Sequence, residues 1–139
     1  MHVHQIMSRP VKMIGTAESI GTAAGLMRQF AVGVLPVVNP QGVVVGIVTD
    51  RDLILGLAWR NEGPLAVSVD TVMTSKVVYG HSDQMIEEIA AIMGDNQVRR
   101  LPILDRSGLM VGIVSIGDIA ENASEKLAGE TLGEIVEAR

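Results

Sequence analysis

Gly46-Ile47-Val48-Thr49-Asp50-Arg51-Asp52 returns 66 positions later as Gly112-Ile113-Val114-Ser115-Ile116-Gly117-Asp118. Each copy is a short apolar run that reads as a buried strand and delivers a hydroxyl, then three residues on a carboxylate, into the start of a helix. A helix start presents unpaired backbone N–H groups and the positive end of the dipole, which suits a phosphate. An ionised Asp only accepts hydrogen bonds and suits a vicinal diol such as a ribose. The same residues also have a plainer use, because Thr49 and Ser115 are good N-caps and Asp52 and Asp118 good first-turn charges whatever the function.

Working outward, residues 3–52 align on 69–118 without a gap, and fifteen of the fifty pairs are identical. The chain is a tandem duplication, and such a repeat governs everything else in the reading. Each copy opens with a short helical turn, His2 to Ser8 or Ser68 to Thr74, with Ser68 as its N-cap. A strand follows over Val11 to Ile14 or Lys76 to Tyr79 and ends at Thr16 or Ser82, the expected N-caps of the next helix. That helix repeats its apolar stripe, Ile20, Ala23, Ala24, Met27 and Ile86, Ile89, Ala90, Met93, at the spacing of one buried face. Leu35-Pro36-Val37-Val38 and Leu101-Pro102-Ile103-Leu104 then enter hairpins whose turns run Asn39 to Gly42 and Asp105 to Gly108. The return strands are Val43 to Val48 and Leu109 to Val114.

The fold class is therefore α/β, two tandem β-α-β-β-α repeats expected to pack sheet to sheet with pseudo-twofold symmetry. The expected boundaries are repeat 1 over 1–60, a linker over 61–67, repeat 2 over 68–128 and a helical tail over 129–139. In that tail Thr131-x-x-Glu134 reads as a capping box opening one more short helix.

Composition narrows the function. The 139 residues carry a net charge of −5 with no Lys/Arg run and one each of Trp, Tyr and Phe. That lacks both the basic footprint and the stacking platforms of a nucleic-acid binder. No cysteine is present, which removes thiolate chemistry and Cys-type zinc sites. With no membrane-length apolar run and no signal-peptide pattern, the expectation is a soluble cytoplasmic protein without membrane contact. His2, His4 and His81 have no partner at ligand spacing, so no metal site is expected. The helical Glu residues have no nucleophile beside them, and no enzyme can be assembled with named roles.

A duplicated unit with a Leu-Pro-Val-Val hairpin and a Gly-Ile-Val-Thr-x-x-Asp exit resembles the CBS domain, named after cystathionine β-synthase, and two in tandem resemble a Bateman module. The resemblance covers residues 3 to about 125. It implies two clefts formed by the repeats that bind adenosyl ligands such as AMP, ADP, ATP, S-adenosylmethionine or NAD-like molecules, as regulatory ligands and not as required cofactors. It places Asp52 and Asp118 on ribose hydroxyls and Thr49 and Ser115 near ribose or phosphate. Val34-Leu35-Pro36 and Arg100-Leu101-Pro102 would line the base pocket, and the corners Gly15-Thr16 and Gly80-His81-Ser82 would close the clefts. Arg51 in the first copy, and Arg99 with Arg100 in the second, would supply the cation, so the two sites should be unequal.

The resemblance also implies a homodimer, with Ile119, Ala123 and Leu127 and the Leu53, Leu57 edge as its contact, and a separate effector protein. The competing reading is a structural or dimerisation module that acts through protein–protein contact with its clefts empty.

Overall fold

The computed structural model describes residues 1–9 and 12–139. Two three-stranded sheets form, in the orders β1-β2-β3 and β4-β5-β6. The first is built from β1 (Ile14–Gly15), β2 (Val34–Val38) and β3 (Val44–Thr49), with helices α1 (Ile20–Phe30) and α2 (Asp50–Ala58). The second repeats the order as β4 (Gly80–His81), α3 (Ile86–Asn96), β5 (Arg100–Leu104), β6 (Met110–Ser115) and α4 (Ile116–Asn122), and adds α5 (Glu125–Ile135). In each sheet the first strand is parallel to the second and the hairpin is antiparallel.

The hairpins form as their sequences require. Asn39 and Asp105 each accept two backbone N–H bonds through Oδ1, and Gly42 and Gly108 take the positive φ of 81° and 90° that closes the turn. The hydrogen bond from the Ser107 hydroxyl, with the backbone N–H of Leu109, holds the Asp105 carboxyl below its usual range.

The first strand of each copy is shorter and later than expected, because only two residues reach across to pair with β2 or β5. Of the expected Val11 to Ile14 strand, Val11 lies outside the described residues. The helices also start later. Their N-caps are Ser19, whose hydroxyl accepts from Thr22 N at 3.0 Å, and Met85, so Thr16 and Ser82 instead donate their backbone N–H to Val38 and Leu104. The tail differs too. The chain breaks at Ala123, Ser124 caps α5, and Thr131 sits buried in mid-helix, its hydroxyl donating to the Leu127 carbonyl at 2.7 Å. A Thr can satisfy its hydroxyl one turn back, so the capping-box pattern there was not a helix start.

The chain divides into two compact units, Lys12–Val77 and Met1–Val11 together with Val78–Arg139. These differ from the sequence repeats in one respect: the opening turn of each repeat belongs to the unit built from the other repeat's sheet. In the second unit Val3, Ile6 and Met7 join the core with Ile86, Ile89, Leu101 and Ile103. Ser8 bridges Ile113 on the outer side of β6. In the first unit Val69 enters the core with Ile20, Leu35 and Val48, and Thr74 bridges Ile47 on β3. Each bridge occupies a strand edge that would otherwise offer unpaired backbone groups.

Candidate functional site

Thr49 ends β3 and caps α2, and a reciprocal pair of bonds locks the corner. The Thr49 hydroxyl accepts from Asp52 N at 3.1 Å, and Thr49 N donates to Asp52 Oδ2 at 2.9 Å. Ser115 and Asp118 repeat this at the start of α4, with 3.1 and 2.8 Å. This is a capping box with Asp in the place usually held by Glu. It consumes one carboxylate oxygen. The other, Oδ1, accepts no hydrogen bond in either copy among the described residues, so each box holds a half-buried carboxylate with one oxygen available. The structural and the ligand-binding uses of these residues are thus compatible.

Loss of the box has a calculable cost. Thr49→Ala and Ser115→Ala should each destabilise their own unit by about 1 kcal/mol, the usual value of an N-cap side chain. Urea unfolding would read this as a shift in midpoint at unchanged slope.

Register decides which other candidates join the corner. Val34 lies directly across the ladder from Thr49, and Arg100 across from Ser115. Leu35 and Leu101 are completely buried in the two cores, and Pro36 and Pro102 are buried as well. From these segments the side chains of Val34, half-buried, and Arg100, exposed, offer surface. Gly15 and Thr16 lie at the Val38 end of β2, about 13 Å along the strand from Thr49 at the usual rise. Gly80, His81 and Ser82 lie likewise at the Leu104 end of β5. Gly80 is closely packed, an added Cβ there meeting the side-chain ends of Ile89, Ile103 and Leu101. His81 donates its backbone N–H to Gln84 at 2.8 Å and its ring lies edge-on to Tyr79.

The two corners differ in charge. Asp50 turns its carboxylate back onto Arg51 N at 2.9 Å, and Asp50 N donates to the Gly33 carbonyl. Every first-turn donor of α2 is therefore taken. In the second copy Ile116 N donates to Arg99 O, but Gly117, standing where Arg51 stands, has no acceptor for its N–H among the described residues. Arg51, Arg99 and Arg100 are exposed and form no ion pair among the described residues.

Sequence reasoning missed a groove beside Asp52. It has a volume of about 500 Å³ and is lined by Asp52, Leu55, Gly56, Trp59, Arg60 and Thr71. Trp59, the only Trp of the chain, is 93% exposed. The signal was present: Leu55 and Trp59 align on Glu121 and Glu125, so the groove has no aromatic or apolar lining at those two positions of the second copy.

A duplicated strand-helix-strand-strand-helix unit with a carboxylate box at each exit defines a tandem pair of one small α/β repeat. The family description "CBS domain" matches residues 3–58 and 69–125, and the chain belongs to that family. CBS domain-containing protein YhcV of Bacillus subtilis is 40% identical over 135 residues, covering 96% of this chain and 94% of its own. The CBS domain pair of protein MJ0100, in complex with 5′-methylthioadenosine and S-adenosyl-L-methionine, is 28% identical. It aligns with a TM-score of 0.78 over 91% of this chain and 98% of its own. The cytosolic domain of the Mg2+ channel MgtE in complex with ATP aligns with a TM-score of 0.74 at 26% identity, over 86% of this chain and 48% of its own. Among the described residues no helix is long and apolar enough to cross a membrane.

Proposed function

We propose that this CBS pair is a regulatory module that binds adenosine-containing ligands at its two Thr/Ser-x-x-Asp corners and signals to a separate protein. The observation that carries the reading is the duplicated box, which fixes a carboxylate by one oxygen and leaves Oδ1 for the ribose diol. The adenosyl complexes of MJ0100 and MgtE support the ligand class. The corners are unequal. At Asp52 the Trp59 ring offers a stacking face and Arg60 a cation. At Asp118 the free Gly117 N–H and the exposed Arg100 offer the anion contacts, while Asp50 already fills the equivalent place in the first copy. No catalytic step is assigned to either corner, and the module is taken to assemble as a homodimer in the cytoplasm.

Thermal shift tests this with AMP, ATP, S-adenosylmethionine, 5′-methylthioadenosine and a guanosine control, on protein freed of copurified nucleotide. A ligand that binds only the folded state at a hundred times its Kd stabilises by about 2.7 kcal/mol. Adenosyl ligands should raise the melting temperature, and Asp52→Ala with Asp118→Ala together should abolish the shift. Asp52→Asn and Asp118→Asn keep an oxygen for the box but halve the acceptors, so they should weaken ligand binding with little effect on the unliganded melt. Quenching of Trp59 fluorescence should follow Asp52 and not Asp118. No shift with any adenosyl ligand would sink the proposal and favour a module acting through protein contact alone.

A further inference from the structure

We propose that the ligand of the Asp52 corner is a dinucleotide, an adenosine nucleotide whose phosphate chain carries a second aromatic ring that stacks on Trp59. This rests on the reading that Asp52 holds a ribose diol. Along α2 and just past its end, Asp52, Leu55, Gly56, Trp59 and Arg60 follow one another at the three- and four-residue spacing of a single helix face. Together with Thr71 and Val72 they line one groove of about 500 Å³. Val72 lies so close on Gly56 that a Cβ there would overlap its side chain, so this second wall is seated directly on the helix.

The two ends of the groove differ in chemistry. At one end Asp52 keeps Oδ1 free. At the other, about 10 Å further along the helix axis, stands the exposed Trp59 ring, with half of Leu55 also in water between them. Beside the ring, Arg60 Nε donates to the Gly56 carbonyl at 2.8 Å, which holds the guanidinium at the end of α2. Its two terminal nitrogens have no hydrogen-bond or ion-pair partner among the described residues. In the second copy Glu121, Asn122, Glu125 and Lys126 take the places of Leu55, Gly56, Trp59 and Arg60, so the inference concerns the first corner alone.

The order of these groups selects the ligand. An acceptor for a diol, then a cation and an aromatic face side by side, match a ribose, a phosphate chain and a second ring in that sequence. A mononucleotide sends its base and its phosphate out from different ends of the ribose, so it meets Trp59 or Arg60 and not both. A dinucleotide meets both with one arm and leaves its adenine for the Val34 side of the corner, across the ladder from Thr49. The start of α2 does not compete for the phosphates. Its backbone N–H groups are taken by Gly33 O, Asp50 Oδ1 and Thr49 Oγ1, and Arg51 does not line the groove.

The test is calorimetric titration of the full chain with adenosine, ADP-ribose and NAD+, on the parent and on Asp118→Ala, whose second corner lacks its carboxylate. ADP-ribose has the phosphates and second ribose of NAD+ without the second ring. NAD+ is expected to bind about tenfold more tightly than ADP-ribose, the usual effect of one stacked base, and ADP-ribose more tightly than adenosine. Trp59→Ala should erase the first difference, Trp59→Phe keep most of it, and Arg60→Ala erase the second. Both side chains are exposed, and these variants should melt as the parent does. Diadenosine diphosphate in place of NAD+ shows which second ring is preferred, and a gain over ADP-ribose with either supports the inference. Equal affinity for NAD+ and ADP-ribose, or a gain that survives Trp59→Ala, overturns it. So does an equal loss of adenosine and NAD+ affinity in Trp59→Ala, which puts the adenine itself on the ring. In those cases the corner's own reading stands if adenosine still binds Asp118→Ala and Asp52→Ala abolishes that binding. No binding of any of these ligands to the parent chain sinks both together.

Discussion

Removing residues 1–8 is expected to unfold the carboxy-terminal half of the chain before the amino-terminal half. Val3, Ile6 and Met7 are buried against Ile86, Ile89, Leu101 and Ile103. Burying three such side chains is worth roughly 5 kcal/mol, a large part of the stability of a small domain. The segment also anchors α3 by backbone bonds, Val3 N donating to Gln84 O and Ile86 N to Met1 O, at 2.9 and 3.0 Å. Hydrogen exchange on the truncated chain should therefore show protection lost across Val78–Arg139 and retained longer across Lys12–Val77. Loss beginning in Lys12–Val77 would contradict the assignment of the segment to the second unit.

Gly46→Ala and Gly112→Ala should each destabilise by about 1 to 3 kcal/mol, the range of overpacked cores. The two glycines sit in mid-strand where a side chain would normally strengthen the sheet. They are required because Met73 lies on Gly46 and Met7 on Gly112, so closely that a Cβ at either would overlap the Met sulfur. The two positions should respond differently to relief. At Gly112 the three nearest atoms all belong to the flexible Met7 side chain, and a double-mutant cycle with Met7→Ala should return a coupling of about 1 kcal/mol or more. At Gly46 the Thr74 carbonyl oxygen also stands 3.1 Å from the added carbon, so Met73→Ala should recover less. Equal coupling at both sites, by urea unfolding, would count against this packing.

The residues expected to form a dimer contact are placed as follows in the fold. Ile119 is completely buried and Leu127 packs against the core of its own unit, while Leu53 is buried in the other. Ile119 and Leu127 are thus engaged within the second unit and Leu53 within the first, while Ala123 is exposed. On the first unit Ile54 and Ala24 are exposed beside the half-buried Leu57.

Much of the candidate site was written locally. A hydroxyl three residues before a carboxylate at a strand-to-helix boundary is enough to form the box, because both bonds close within one turn. The register of Val34 on Thr49, and of Arg100 on Ser115, follows from the length of each hairpin and its Asn or Asp and Gly turn. The Gly15-Thr16 and Gly80-His81-Ser82 corners were less legible, since their position depends on which end of β2 or β5 the short parallel strand meets.

The sequence by itself determined the duplication, the two β-α-β-β-α units, the hairpins and the capped carboxylates, since each depends on periodicity and turn chemistry within some tens of residues. Only the tertiary structure decided that Met7 serves Gly112 and Met73 serves Gly46, and that α5 packs on α3 and α4 while no third helix among the described residues covers α1 and α2. The two Met-Gly pairs are identical in type in the two copies, so composition and spacing cannot choose between the partners. The choice is made by chain connectivity and by which apolar surfaces can be buried together, and both are non-local.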